Sequence, residues 1–197
     1  MRTAVIIVGL VVLISTLAMA FVKKSLDETE THEYEVLEMF DGFEIRKYAP
    51  ALYSSVQYTT TSYKQISGQG FRTLAGYIFG GNENQEQIAM TSPVTMELKD
   101  TSKMMFMVPK GLTKDQLPRP NDASIYFEEY PERIVAAIRF GGWASDEKIN
   151  SHIQELARLL EKEGLTHNGE FAYLGYNPPF DVVNRRNEII VDVDWMD

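Results

Sequence analysis

The side chains able to hold a metal or move a proton near neutral pH are few in this chain. Its 197 residues contain three histidines, His32, His152 and His167, and no cysteine. No histidine has a second imidazole at i+3 or i+4, the spacing that would put two ligands on one helix face. His32 falls in a polar stretch, His152 on the flank of a helical pattern and His167 in the Thr166–Gly169 turn, so each reads as a surface histidine. Without cysteine there is no thiolate to ligate iron, no iron–sulfur centre and no disulfide. The glycines give no phosphate loop or nucleophile elbow, because Gly68-Gln69-Gly70 sits inside a helical pattern rather than after a strand.

Softer chemistry is better represented. Met90, Met96, Met104, Met105 and Met107 crowd onto two segments that read as paired strands. Thioethers fill irregular apolar space, take up large flat ligands and coordinate iron weakly, although core packing is the commoner use. Ten tyrosines, ten phenylalanines and two tryptophans accompany them. Several (Tyr53, Tyr58, Tyr63, Phe71, Tyr77 and Phe79) surround one helical segment, with Arg46, Lys47, Lys64 and Arg72 the nearest cations in sequence. Stacking faces rimmed by positive charge suit a flat acidic ligand. Arg185 and Arg186 read as local ion-pair partners, with Glu188 a candidate acceptor.

These residues must be positioned by short alternating segments. Gly42–Tyr48 and Ala51–Tyr58 read as strands divided by Ala49-Pro50. Ser62–Phe79 reads as a helix, with Ile66, Phe71, Leu74, Tyr77 and Ile78 at helical spacing, a cap from Thr60, Thr61 or Ser62, and a stop at Gly80-Gly81. Strands follow near Gln87–Leu98 and Lys103–Val108. A proline-rich connection leads to strands Ser124–Glu128 and Arg133–Phe140. The helix Asp146–Glu163, N-capped by Ser145 and ended by Gly164, then precedes strands Phe171–Tyr176 and Asn187–Trp195. The order β-β-α-β-β therefore occurs twice, which predicts an α+β fold with two helices on one antiparallel sheet or distorted barrel.

Residues 1–22 carry an apolar run, Ala4–Val22, flanked by Arg2 and by Lys23-Lys24. The triplet Ala18-Met19-Ala20 fits a signal peptide cleaved before Phe21, and the length fits an uncleaved membrane anchor. Either reading expects an exported, periplasmic or membrane-tethered domain over 34–197, reached through the polar linker 23–33. A net charge of −9, with no run of basic residues, argues against nucleic acid as a partner.

Three segments carry more than periodicity. Gln87-Ile88-Ala89-Met90-Thr91-Ser92-Pro93-Val94 resembles one signature of the SOUL haem-binding family. The segment from Tyr173 to Phe180, with Asn184-Arg185-Arg186-Asn187-Glu188 after it, resembles a second, and Phe43-Glu44-Ile45-Arg46-Lys47-Tyr48 is similar to the family's opening strand. The resemblance implies a distorted antiparallel β-barrel of two similar halves flanked by two helices. It also implies a binder, rather than an enzyme, for haem or another porphyrin, held against the first helix and adjacent loops. The residues forming that face here are Tyr63, Phe71, Leu74 and Ile78, with Met90 beside them and Lys64 and Arg72 as the rim. Lys47 occupies the position of a histidine in the branch thought to ligate iron, which implies contact binding without a strong axial donor.

A second expectation follows from a likeness of this fold to gyrase-inhibitor-like effector domains, which hold small molecules between their halves and include hydrolases using a Glu–Tyr pair. Glu128 or Glu129 beside Tyr126 or Tyr130 would be that pair here. A third possibility is a structural envelope domain with a protein partner.

Overall fold

The computed structural model describes residues 29–60, 62–98, 101–178, 181 and 184–196. The leader expected over 1–22 lies outside them. The chain divides into two units, 1–30 and Thr31–Asp197, and every element below belongs to the second.

Among the described residues, the main sheet of that unit has nine strands, and two long helices accompany it. They are β1 (Tyr34–Met39), β2 (Glu44–Tyr48), β3 (Ala51–Tyr58), α1 (Tyr63–Ile78), β4 (Val94–Glu97), β5 (Ser102–Met107), β6 (Tyr126–Tyr130), β7 (Arg133–Phe140), α2 (Asp146–Lys162), β8 (Ala172–Gly175) and β9 (Asn187–Asp192). The strands form one antiparallel sheet in the order β1-β2-β7-β9-β8-β4-β5-β3-β6. The sheet curls into a half-barrel, open along β1 and β6.

Set β1 aside and the order is a palindrome. Let β2, β3, β4, β5 be the four strands of the first half and β6, β7, β8, β9 those of the second. Exchanging the halves and reversing the order then returns the same sheet. The first strand of each half pairs with the second strand of the other: β2 with β7, Glu44 opposite Ala137, and β6 with β3, Tyr126 opposite Ser55. The third strands meet at the centre, where Met96 of β4 faces Tyr173 of β8. The helices obey the same relation, α1 packing on β3 and β5 and α2 on β7 and β9.

Period-two alternation divides the strands between two apolar layers. Under the helices lie Ile45, Val56, Met96, Met104, Ala136, Ile189 and Val191, with Leu74 of α1 and Ile149, Leu156 and Leu160 of α2. On the opposite face Tyr48, Val135, Ala137, Ala172, Leu174 and Ile190 form one cluster and Tyr53, Met105 and Met107 another. Four of the five clustered methionines are thus fully packed, two on each face. Gly70 lets α1 sit close to the sheet, since a Cβ there would stand 3.0 Å from Met104 Sδ. Gly164, at φ +71, ends α2 as its spacing predicts.

The helix N-termini differ in how they are capped. Ser145 caps α2, accepting from Lys148 N at 3.2 Å. Ser62 occupies the N-cap position of α1 but makes no such bond. Asp146, the first residue of α2, caps α1 instead: its carboxylate accepts from Tyr63 N at 2.6 Å, Lys64 N at 3.3 Å and Ser62 Oγ at 3.2 Å. One carboxylate thus answers the positive ends of both helices and ties the halves together.

The strand Tyr34–Met39 has no counterpart in the expected elements. Its alternation is weak because it is an edge strand, with Val36 41% and Met39 73% exposed. His32, expected on the surface of a linker, is buried. Its Nε2–H donates to Ala49 O at 2.7 Å, its Nδ1 accepts from Tyr53 Oη at 3.0 Å, and its ring lies 4.7 Å from that of Tyr48. Burial comes first among the causes that hold its pKa below 6.5.

Candidate functional site

The face expected to bind a ligand lies along α1, and its residues have unequal surroundings. Leu74 and Ile78 are 0% and 4% exposed and belong to the core. Tyr63 and Phe71 are half-buried, edge-on to Tyr173 and Phe106 respectively. Lys64 and Arg72 are exposed. Ile78 and half-buried Met90 come together in a crevice with Ile88, Phe106 and Leu117 that encloses about 10 Å³, the room of a single water. Tyr63 lies at the other end of the helix, fifteen residues and about 22 Å away. That crevice has no room for a macrocycle; what the helix offers is its outer surface. Phe79, 59% exposed at its C-terminus, extends that surface. The backbone there is tied to the start of the Gln87–Val94 segment by Ile88 N donating to Ile78 O at 2.8 Å.

Roomier space exists on the helix-free face, above the seam where β4 meets β8. A cleft of about 260 Å³ is lined by Glu97, Lys103, Tyr130, Arg133, Glu170 and Asp192, with Ala172 and Ile190 at its floor. Lys103 Nζ donates to Glu128 Oε2 at 2.9 Å and to Tyr130 Oη at 3.0 Å, and stands 3.4 Å from Glu97 Oε2. Tyr130 in turn donates to Glu97 Oε1 at 2.9 Å. Burial, opposed by Lys103 and reinforced by Glu97, pushes the Tyr130 phenol up to about 12. Burial would lower Lys103, but Tyr130 and the carboxylates prevail and its pKa is raised. Both therefore stay protonated at neutral pH. The carboxylate facing Tyr130 is Glu97; Glu128 lies beside Tyr126, as expected, and is paired with Lys103, while Glu129 is exposed.

The signature residues converge elsewhere on the helix-free face. Glu188, 0% exposed, accepts from Arg46 Nη1 at 2.8 Å and Nη2 at 3.3 Å, from Arg186 Nε at 2.9 Å and from Tyr176 Oη at 2.9 Å. Arg46 also donates to Glu44 at 2.7 Å and lies 4.3 Å from the centre of the Tyr34 ring, while Arg186 covers Tyr176 at 3.9 Å. Burial alone would raise the Glu188 carboxyl, but Arg46 and Arg186 overcome it and hold it below 4.5. Arg46, expected as a cation near the ligand, is thus 3% exposed and structurally committed. The pairing of Arg186 with Glu188 is as the sequence predicts. Asn187 pins strands, accepting from Tyr173 Oη at 2.7 Å and donating to Gly142 O at 2.8 Å. Arg185 donates to Pro178 O at 3.0 Å and Asp181 O at 2.7 Å, and stacks 4.2 Å from the Trp143 ring centre. In the other signature, Thr91 Oγ1 donates to Met107 O at 2.6 Å.

The family model described as SOUL heme-binding protein matches residues 29–192. The chain belongs to the SOUL family. Heme-binding protein 2 of Mus musculus is 31% identical over 75% of this chain and 76% of its own length. The fold is shared more widely. The C-terminal domain of EcmrR superposes with a TM-score of 0.60 at 13% identity, covering 83% of this chain and 99% of that one. A hydrolase from Listeria innocua superposes with a TM-score of 0.56 at 7% identity, covering 87% and 97%. At such identities the likeness concerns the backbone alone.

Within the SOUL fold of this chain, then, the family signatures build the scaffold through Glu188, Asn187 and Thr91, and the run Ile88–Thr91 of the Gln87–Val94 segment lines the crevice beside α1. Lys47, expected as a poor iron donor, pairs with Glu132 at 2.9 Å. His152 stacks on Phe140 at 4.1 Å and donates from Nδ1 to Lys148 O, while Nδ1 of His167 accepts from Gly169 N. Sequence reasoning missed the cleft. Its charged residues come from four strands and a loop, and no spacing in the chain announces them.

Proposed function

We propose that this SOUL protein reversibly binds haem or another tetrapyrrole on the outer surface of α1, by contact and charge rather than by strong axial ligation. Family membership over residues 29–192 carries the reading. The surface of α1 supports it. Lys64, Gly68, Arg72 and Gly76 recur every four residues along one exposed stripe. A Cβ at Gly76 would meet nothing within 4 Å, so packing does not demand glycine there, although each helical glycine costs about 1 kcal/mol relative to alanine. Two cations about 12 Å apart along the axis, with Gly68 between them beside the Arg72 guanidinium and open backbone at Gly76 beyond, suit a flat ring with two carboxylates. Exposed Phe79 adds an apolar edge.

Haemin titrated into the purified protein should shift the Soret band. The double substitution Lys64→Glu, Arg72→Glu should weaken that binding by about tenfold or more, two charge-assisted contacts being lost. A spectrum identical to free haemin at every ratio, or unchanged binding by the double variant, would refute the proposal.

We read the chain as a binder rather than an enzyme. The Glu–Tyr pair of the cleft holds its tyrosine protonated, and the neighbouring lysine is locked as a cation. The proposal includes an exported or membrane-tethered location, resting on the apolar run Ala4–Val22. A mature N-terminus at Phe21 would support cleavage and an intact chain in membranes would support an anchor. An intact chain in the soluble cytosolic fraction would refute both.

A further inference from the structure

The turn that carries α2 into β8 holds a reactive arrangement that the tetrapyrrole proposal does not use. Of the asparagines in the chain only Asn168 precedes a glycine, and without a Cβ on Gly169 little shields its backbone nitrogen from the Asn168 side chain. Both residues are exposed, so water has access to them. The turn is nevertheless held in place. Asn168 N donates to Asp192 O at 3.1 Å and Asp194 N to Thr166 O at 3.2 Å, and His167 is bridged to Val193. Gly169, at φ +79, takes the left-handed conformation that suits glycine.

Three hydrogen bonds arrange the groups. Gly169 N donates to His167 Nδ1 at 3.0 Å, so an unprotonated imidazole nitrogen already rests on the proton of that amide. The His167 ring is steadied edge-on against Phe171, with centroids 5.2 Å apart. Asn168 Oδ1 accepts from Glu170 N at 2.9 Å, which polarises the side-chain carbonyl and places a donor where negative charge would develop on its oxygen. Asn168 Nδ2 donates to Asp192 Oδ2 at 3.3 Å, in keeping with that orientation of the amide. A nucleophilic nitrogen, a base and an oxyanion donor are thus gathered around one side-chain amide, and a held turn keeps them there.

We propose that Asn168 is a self-modification site, converted to aspartate and isoaspartate through attack by the Gly169 nitrogen with His167 as the base. The bond from Gly169 N to Asn168 Cγ forms as the amide proton passes to His167 Nδ1 and the carbonyl electron pair moves onto Oδ1, toward the Glu170 N–H. Collapse of that intermediate breaks the Cγ–Nδ2 bond. Nδ2 leaves as ammonia, carrying the proton that His167 returns. Water then opens the cyclic imide at either of its carbonyls, so water is the only co-reactant. In the aspartate product a carboxylate replaces the amide that donated to Asp192, and a hydrogen bond becomes a like-charge contact at the end of β9.

Incubation of the full chain in warm neutral buffer, with peptide mapping by mass spectrometry, measures the conversion, and the same chain unfolded in guanidinium is the reference. The folded chain should convert Asn168 faster than the unfolded one and leave exposed Asn84 and Asn121 intact over the same period. His167→Phe keeps a ring beside Phe171, and His167→Gln keeps a hydrogen-bond acceptor at that residue. Each should slow the folded reaction by about tenfold or more, the loss of a positioned base, and change the unfolded rate little. Hydrogen exchange of the Asn168 amide, which is bonded to Asp192 O, should show the turn still docked in both variants. Faster conversion in the unfolded chain, an unchanged folded rate in both variants, or slowing accompanied by lost protection at Asn168 would overturn the proposal.

Discussion

Replacing Glu188 by glutamine changes one atom's identity and should strongly destabilise the domain. The side chain is fully buried and accepts four hydrogen bonds, three of them from guanidinium groups. Glutamine keeps the shape but removes the charge, and its NH2 turns a donor toward either an arginine or Tyr176. Arg46, 3% exposed, then retains Glu44 as its ionic partner among the described residues. Removing one member of a buried ion pair costs about 3–5 kcal/mol, mainly because the other charge stays desolvated. Against a total stability of about 5–15 kcal/mol that is a large share, and for a domain of this size it corresponds to a fall in Tm of about 6–20 °C. Urea unfolding followed by tyrosine and tryptophan fluorescence measures it, with an unchanged m-value showing that the native state is otherwise intact. The double variant Arg46→Met, Glu188→Leu should lose less than the sum of its single variants, since the buried Arg46 charge is removed together with the carboxylate it pairs with. The pH dependence follows from the same contacts. The folded carboxyl is held below its ordinary 4.5, so its stabilisation is complete above that pH and is lost as pH falls through the lower, folded value. Glu188→Gln should therefore flatten the acid limb of the stability curve. A loss below about 1 kcal/mol, or an unaltered acid limb, would refute the assignment of this network as the clamp between β2 and β9.

Asp146→Ala should cost about 1–2 kcal/mol through loss of the α1 cap, whereas Ser62→Ala should cost little, and chemical denaturation of the pair separates the two. Gly70→Ala should destabilise by about 1–3 kcal/mol by driving a methyl group onto Met104, while Gly76→Ala should stabilise the ligand-free protein by up to about 1 kcal/mol. The imidazole of His32, followed by NMR, should titrate below 6.5 and show the Nε2–H tautomer at neutral pH, the stability it confers being lost as pH falls through that lowered value. Titration above 6.5 would show that the ring is solvated.

Local patterns were legible wherever burial followed the period of the element. Ala51–Tyr58 and Arg133–Phe140 match their expected bounds, and the stripe of Ile149, Leu156 and Leu160 placed α2. The doubled β-β-α-β-β order foretold the two-fold relation, but the exchange of first strands between the halves is a long-range pairing that no local signal encodes. The edge strand Tyr34–Met39 escaped because an edge buries too little to impose alternation, and His32 because polar neighbours in sequence conceal an aromatic pocket made by residues 16 and 21 positions away. Asp146 entered the sequence reading only as the first residue of α2, and its service to α1 depends on the two helix starts lying close together. The signatures identified the family, yet their physical work, tying Arg46 to Glu188 and Thr91 to Met107, appears only when strands far apart in sequence are brought into register.

The palindromic strand order has a consequence for synthesis of the chain. When β2 leaves the ribosome its neighbour β7 is still to be made, for Tyr48 pairs with Arg133, 85 residues downstream. The N-terminal half therefore cannot complete its own sheet, and neither can the C-terminal half. Nascent chains must wait with two unmatched borders until translation is nearly finished, a topology that favours slow closure. A gene cut in the Pro109–Pro120 connection should accordingly yield two fragments that are unfolded apart and fold when mixed.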